Sequence, residues 1–388
     1  MTYVVNAPLF DDMQRFPPPK RPTESDFQFL NRVAGEPWDV TRELLEAWYR
    51  DYDDTDNDLR GRFRDPTTAQ HMGAWWELYI YTMFRRLGYD ITIHPNLPAT
   101  NKKPDFLLSK GSTELIVECA VMLEEAQWAD SDGRKWVLQC INDTQDPNFL
   151  VGVDINAEGM QRPRCDDIVK PIRAWLATLD ANAVWESTQS GGDWPEKEFV
   201  IRGWRITLRA IPLRPERRGL AAGLIGIGPM KTGWLRHVEQ IRGILSDKGS
   251  KYGQPEQPFV LALLASPITA GEDEMTNALY GSLGMTVVVN ESDLSSGEWS
   301  RQQDGYWRPA PDIRGSRISA VLFAEALSPS RPFSALPRIW MNPWAKAPLE
   351  SLPPFAAFVV EDDQLVSREA TTMPKDLFGY PSQWPHGS

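Results

Sequence analysis

The segment HMGAWWELYIYTMFRRLGYDITIHPNLPATNKKPDFLLSKGSTELIVECAV constrains the fold of this chain more than any other. It reads as a helix, an extended segment and two strand-like runs across a short Gly-Ser turn. A two-residue loop at Gly111-Ser112 sets Lys110 against Thr113 and carries Asp105 directly opposite Glu118 on one face of a sheet. Any even-length loop centred on the same bond preserves that pairing, and an odd-length loop breaks it. Opposed residues in an antiparallel pair hold their Cβ atoms roughly 4.5–5.5 Å apart, where like charges are destabilising unless something compensates them. A divalent cation would do so, whereas an edge pair turned into water would need none. Mg²⁺ favours a few carboxylates with waters and phosphate oxygens, so facing acids with a third from a nearby helix make Mg²⁺, or Mn²⁺, the expected ion.

The third acid is Glu77. From Thr67 to about Leu87 apolar residues fall on nearly all sides, with Trp75, Trp76, Leu78, Tyr79, Ile80, Met83 and Phe84 among them, so the helix is expected to be buried. A carboxylate inside it costs several kcal/mol unless it is paired, protonated or metal-bound. Arg85 or Arg86 would pair it if its role were structural. Gly88 ends the helix and Tyr89–Ile93 reads as a strand.

A helix bearing an acid, a strand, a Pro-Asp element, a hairpin and then a Glu two residues before an expected Lys together resemble the PD-(D/E)XK nuclease superfamily, with its restriction-endonuclease-like fold. Pro104-Asp105 matches the PD element, Glu118 the acid of the second element, and Glu77 the acid of the first core helix. The wider pattern also looks like bacterial proteins assigned to that superfamily. The resemblance covers roughly residues 67 to 122 and, more loosely, 231 to 265 as a returning helix and strand. It implies an α/β fold, a mixed central sheet flanked by helices, with a helical N-terminal and a β-containing C-terminal extension. It also implies Mg²⁺-dependent endonuclease chemistry on nucleic acid, DNA before RNA, with a role in genome defence such as restriction or phage resistance. It leaves room for a homodimer or a larger defence assembly.

The departure is Ala120, which stands where the superfamily places the lysine that orients water and stabilises developing charge. By hairpin register Ala120 faces Lys103, which could reach over the small side chain. Lys248 is the other substitute, extending a helical stripe of Trp234, Val238, Ile241 and Leu245, and Lys251, beside Tyr252, is a third. Against these stand plainer roles, a cation at a helix C-terminus for Lys248 and a solvated strand entry or a phosphate contact beside Lys102 for Lys103.

The remaining sequence sets the frame. With 41% hydrophobic and 24% charged residues over 388 positions, the chain has the composition of a globular protein with room for several structural units. The expected organisation is a helical extension over 1–66, a nuclease-like core over 67–268 with an insertion at about 123–230, and a Pro- and Trp-rich region over 269–388. No apolar run reaches membrane-spanning length and the N-terminus lacks a signal-peptide pattern, so the expected location is cytoplasmic. Cys119, Cys140 and Cys165 suggest neither a disulfide framework nor a zinc site. The run DDTDND lacks the offsets of a calcium loop and reads as a solvated connector. GLAAGLIGIG is neither a Walker loop nor a dinucleotide fingerprint, so no nucleotide cofactor is expected.

A net charge of −12 argues against nonspecific coating of nucleic acid, which depends on phosphate neutralisation. A local basic groove is still open to the chain. EFVIRGWRITLRAIPL reads as one long strand, and with the residues after it carries Arg202, Arg205, Arg209, Arg214, Arg217 and Arg218 around Trp204, a mix suited to phosphate contacts and base stacking or to a solvated face. Three functions therefore compete. The first is a metal-dependent endonuclease using Glu77, Asp105, Glu118 and a displaced lysine, with Lys102, Arg202, Arg205 and Arg209 on the nucleic acid. The second is a degenerate nuclease fold that binds nucleic acid or protein as a subunit. The third is an interaction protein using exposed Trp and Pro, in which Glu77 is salt-bridged to arginine.

Overall fold

The computed structural model describes residues 6–17, 19–21, 23–98, 100–123, 131–219, 223–227, 237–265, 270–287, 297–325, 327–351, 353–362 and 364–379. The chain divides into two compact units, one of Met1–Phe16, Asp26–Glu124 and Leu235–Ser388, the other of Pro17–Ser25 and Glu125–Trp234.

The first unit opens with helices α1 (Asp26–Arg32), α2 (Glu36–Arg50) and α3 (Asp58–Phe63), which lead into α4 (Thr68–Arg86). The acidic connector between α2 and α3 is not a solvated run throughout. Asp54 is buried, and its carboxylate accepts hydrogen bonds from the Tyr49 hydroxyl and from the backbone N–H groups of Leu59 and Arg60. An acid at that point satisfies donors that the first turn of a helix leaves open. The connector thereby fixes α3, and with it Arg62, against α4.

After α4 come β1 (Asp90–Ile93), β2 (Phe106–Lys110) and β3 (Thr113–Met122). Lys110 pairs with Thr113 and Phe106 with Val117, across a two-residue turn in which Gly111 takes φ 62°. That left-handed conformation is one glycine adopts without steric cost, and it pins the register.

The second unit follows with α5 (Asp132–Asn142), β4 (Phe149–Ala157), α6 (Cys165–Leu176), α7 (Ala181–Gln189), β5 (Glu196–Ile201), β6 (Trp204–Pro212) and β7 (Ile225–Ile227). Its sheet runs β5-β6-β4-β7. The stretch expected as one long strand is a hairpin, broken where Arg202 and Gly203 take φ 48° and 85°. Consecutive positive φ values make a tight two-residue turn whose twist matches the strands it joins. Val137, Ile141, Ile168 and Ile172 of the helices pack on Val151, Val153, Ile206 and Leu208 of the sheet. Cys140 and Cys165 are joined as a disulfide between α5 and α6, against the expectation that the cysteines stand apart. Tertiary packing brings their Cα atoms to 5.3 Å, which spacing in the sequence does not reveal.

The chain returns to the first unit through α8 (His237–Gly249), β8 (Phe259–Ala265), α9 (Glu272–Tyr280), the paired strands β9 (Leu283–Val287) and β10 (Gly297–Arg301), then β11 (Ala320–Glu325), β12 (Arg338–Met341), β13 (Ala357–Glu361), β14 (Gln364–Arg368) and α10 (Pro374–Phe378). Of the stripe proposed on α8, Trp234 lies outside the described residues.

The result is a mixed eight-stranded sheet in the order β1-β2-β3-β8-β11-β12-β13-β14, with β3, β8 and β11 parallel. Every residue of β8 is buried, as befits a central strand covered on both faces. One face carries α4 and the N-terminal helices, with Trp75, Trp76 and Tyr79 against Val117, Val260 and Ala262. The other carries α8 and α9, with Ile241, Leu245 and Met275 against Ile116, Leu261 and Leu263. The N-terminal helices and the strands after 269 thus share one compact unit with the central strands, where the sequence suggested flanking extensions. Among the described residues no helix is long and apolar enough to cross a membrane.

Candidate functional site

Glu77 lies in the buried middle of α4 and is 2% exposed. Its charge is met from upstream in the chain, not by Arg85 or Arg86. The Tyr52 hydroxyl donates to Oε1 at 2.5 Å and the Arg62 guanidinium to Oε2 at 2.7 Å. Burial opposes the Arg62 charge, but the Glu77 carboxylate more than offsets this and raises its pKa. Burial, and then the same carboxylate, push the Tyr52 phenol up, so it stays a donor.

Asp105 immediately precedes β2. The described ladder ends at Phe106 opposite Val117, and the Asp105 Oδ2 accepts the Cys119 backbone N–H at 2.6 Å. Its carboxyl is pushed up to about 8 by burial and then by the negative charges of Glu118 and Glu77. The like-charge repulsion expected from the sequence therefore acts on Asp105 from both sides of the sheet.

Glu118 is 1% exposed. Alternation along β3 places it with Ile116 and Ala120, on the side of the sheet that α8 covers. There its Oε1 accepts from Lys248 Nζ at 2.6 Å and from Lys251 Nζ at 2.8 Å, while the Tyr252 hydroxyl donates to Oε2. Burial disfavours the Lys248 ammonium, yet Glu118 raises its pKa overall. Two ammonium groups and a phenol thus neutralise a carboxylate that would otherwise be costly at such depth.

Of the three lysines weighed against Ala120, it is Lys248 and Lys251 that meet Glu118. Lys103 is exposed, and only its backbone joins the site, its carbonyl lying 3.1 Å from the Tyr252 hydroxyl whose proton goes to Glu118. The nearest substitute for a lysine on β3 comes from α8 because that helix crosses the same sheet face, a long-range placement that the stripe of Ile241 and Leu245 hints at.

The sequence missed His94, Tyr52, Arg62 and Tyr252. His94 follows β1 at φ 47°, and its backbone N–H donates to the Asp105 carbonyl at 3.0 Å. Its Nε2 is 3.9 Å from Glu77 Oε1. Glu77, His94 and Asp105 each offer a ligand atom, and these atoms lie within 4.8 Å of one another. The signal for His94 was available in the pairing of β1 with β2, since Ile93 faces Phe106 and the next step sets His94 against Asp105. Tyr52 and Arg62 carry no such local signal.

The donor set fits a divalent cation. It joins two carboxylates to an imidazole, and among the described residues the hydrogen bond to one of those carboxyls, Asp105, comes from a backbone N–H, with the Lys248 charge acting on it through space. Glu118 lies outside the group, which corrects the expectation of a cation held between a facing Asp105 and Glu118. Lys248 and Lys251 already compensate Glu118, while Asp105 offers a ligand atom within 4.8 Å of those of Glu77 and His94.

Two of the arginines expected to hold nucleic acid are already paired with acids. Arg202, at the hairpin tip, pairs with Asp167 at 3.0 Å, and Arg209 pairs with Asp154 and lies 3.9 Å from Glu196. Arg205 and Lys102 are exposed. Trp204 is buried, its indole N–H donating to the Gln161 carbonyl at 2.9 Å, so it packs in the core where stacking on bases was expected. Trp194 is the most exposed indole among the described residues, which leaves little exposed Trp for a docking surface.

Compared with models of protein families, with curated proteins and with solved structures, the chain matches none.

Proposed function

We propose that this chain is a divalent-metal-dependent nuclease of the restriction-endonuclease-like kind, acting on DNA, in which Lys248 at the end of α8 and Lys251 in the turn after it replace the lysine missing from β3. The observation that carries the reading is the pair Lys248 and Lys251 on the buried Glu118, beside the acids Glu77 and Asp105. Glu118 is buried while both lysines keep part of their side chains in water, so the carboxylate is the desolvated charge and it depends on its two ammonium partners.

Phosphodiester hydrolysis adds water to phosphorus, breaks one bridging P–O bond and protonates the departing oxygen. A bound divalent cation would neutralise charge on the phosphate and make its water a better nucleophile. Glu77 and Asp105 would hold it. Glu118 holds the Lys248 and Lys251 ammonium groups together, where they can orient the attacking water and offset charge that develops on the phosphate oxygens. Tyr252 ties Glu118 to the backbone at Lys103, next to the Pro-Asp element, and so keeps lysines and acids in register. Tyr52 and Arg62 set the orientation of Glu77.

A second reading has its own support. Arg62 already neutralises Glu77 and the lysines neutralise Glu118, which is how a nuclease fold kept only for binding would settle its acids. Incubating the protein with plasmid, linear and single-stranded DNA and with RNA, in Mg²⁺, Mn²⁺ or EDTA, separates the two. The nuclease reading expects cleavage that needs the metal and disappears in Asp105→Ala and Glu118→Ala. Cleavage unchanged in those variants, or retained in EDTA, overturns the site. Binding without cleavage under every condition supports the second reading.

A further inference from the structure

We infer that His94 is a metal ligand and that it tunes the Glu77–Asp105 centre to a transition-metal ion of the Mn²⁺ class in preference to Mg²⁺. The inference rests on the reading that these two carboxylates hold a divalent cation, but it does not depend on nuclease activity. Mg²⁺ is a hard ion that takes oxygen donors and waters, whereas imidazole suits the softer first-row transition ions. Of the three groups whose ligand atoms lie within 4.8 Å of one another, one is an imidazole.

The backbone fixes that imidazole in place. The β1–β2 ladder runs to Ile93 opposite Phe106, and the His94 N–H bond to the Asp105 carbonyl at 3.0 Å carries the pairing one step further. His94 takes φ 47°, which turns the chain just after the strand. Its Nε2 stands 3.9 Å from Glu77 Oε1, too long for a hydrogen bond but suited to two ligands sharing an ion. Among the described residues the hydrogen bond to the Asp105 carboxyl comes from the Cys119 N–H, and the Lys248 ammonium, bonded to Glu118, acts on it only through space. An ion between Asp105, Glu77 and His94 would supply what Lys248 and Lys251 supply to Glu118.

The test uses full-length protein freed of metal with a chelator, and Mn²⁺ itself as the probe. Loss of the free-ion electron paramagnetic resonance signal measures Mn²⁺ binding, and competition with Mg²⁺ gives the relative affinity. Pulsed resonance on protein grown with isotopically labelled histidine reads whether a histidine nitrogen couples to the bound ion. The expected result is Mn²⁺ bound in preference to Mg²⁺, with histidine nitrogen coupling. His94→Ala and His94→Gln, checked for folding by circular dichroism, are expected to lose the coupling. They should also weaken Mn²⁺ relative to Mg²⁺ by about tenfold or more, at least what loss of an outer partner costs a metal site. Asp105→Asn is expected to weaken both ions. Mn²⁺ bound to the wild type without histidine nitrogen coupling overturns the inference even if no variant folds, as does an unchanged preference in folded His94→Ala. Coupled Mn²⁺ with no cleavage of any nucleic acid supports this inference and counts against the nuclease reading. Cleavage that runs equally well on Mg²⁺ in His94→Ala does the reverse.

Discussion

Asp105 differs from its neighbours in how its charge is met. Glu77 and Glu118 each reach a cation within 2.7 Å, while the Asp105 carboxyl has a backbone N–H from Cys119 and two negative neighbours. Burial and those neighbours push it up to about 8, far above its ordinary value of 3.8. A group whose folded pKa is raised stabilises the fold while protonated in both states, and that contribution is lost as pH climbs through the folded value. Metal-free protein is therefore expected to lose stability as pH rises from about 4 to about 8, the window between the ordinary and folded values. Denaturant unfolding in EDTA across that range checks the slope, which Asp105→Asn should flatten. A Asp105→Asn variant with the same slope as the wild type would show that Asp105 titrates normally.

The elements explain how two lysines reach a carboxylate on β3. β3 brings Glu118 to a face covered by α8, and the last turn of α8 with the turn after it delivers Lys248 and then Lys251 to one carboxylate oxygen. The helix C-terminus itself favours a cation there by a few tenths of a kcal/mol, so the plain role of Lys248 is compatible with the catalytic one proposed for it. Because both ammonium groups share Glu118 Oε1, each can stand in for the other. Lys248→Ala and Lys251→Ala are each expected to reduce cleavage modestly, and the double variant to reduce it by about a hundredfold or more, the scale of losing a charge-stabilising donor. Single-turnover rates with plasmid substrate measure this. Strictly multiplicative single effects would show that the lysines act at separate steps.

At the scale of the molecule, the segment 131–227 holds a sheet, three helices and a buried core that includes Val151, Ile206, Leu208 and Trp204. A unit with a core of its own is expected to fold alone. Expressed by itself, this segment should show a cooperative thermal transition by circular dichroism, and a non-cooperative, gradual melt would show that its core needs the rest of the chain. Its hairpin was legible as extended structure but not as a turn, because Arg202-Gly203 interrupts an otherwise regular alternation and only the positive φ values reveal the break. The buried α4 and the β2–β3 register were readable, since one depends on local periodicity and the other on a two-residue turn, while the mixed α/β architecture was what the family resemblance implied. The sequence by itself therefore determined which acids lie on which elements, and that a buried Glu77 and a crowded Asp105 would need compensation. Only the tertiary structure decided what compensates them: Arg62 and Tyr52 for Glu77, Lys248 and Lys251 for Glu118, and His94 beside Asp105. The reason is physical. Charge must be neutralised locally in space, but a folded chain draws the neutralising group from whichever segment crosses the same face, and separation along the sequence places almost no limit on that choice.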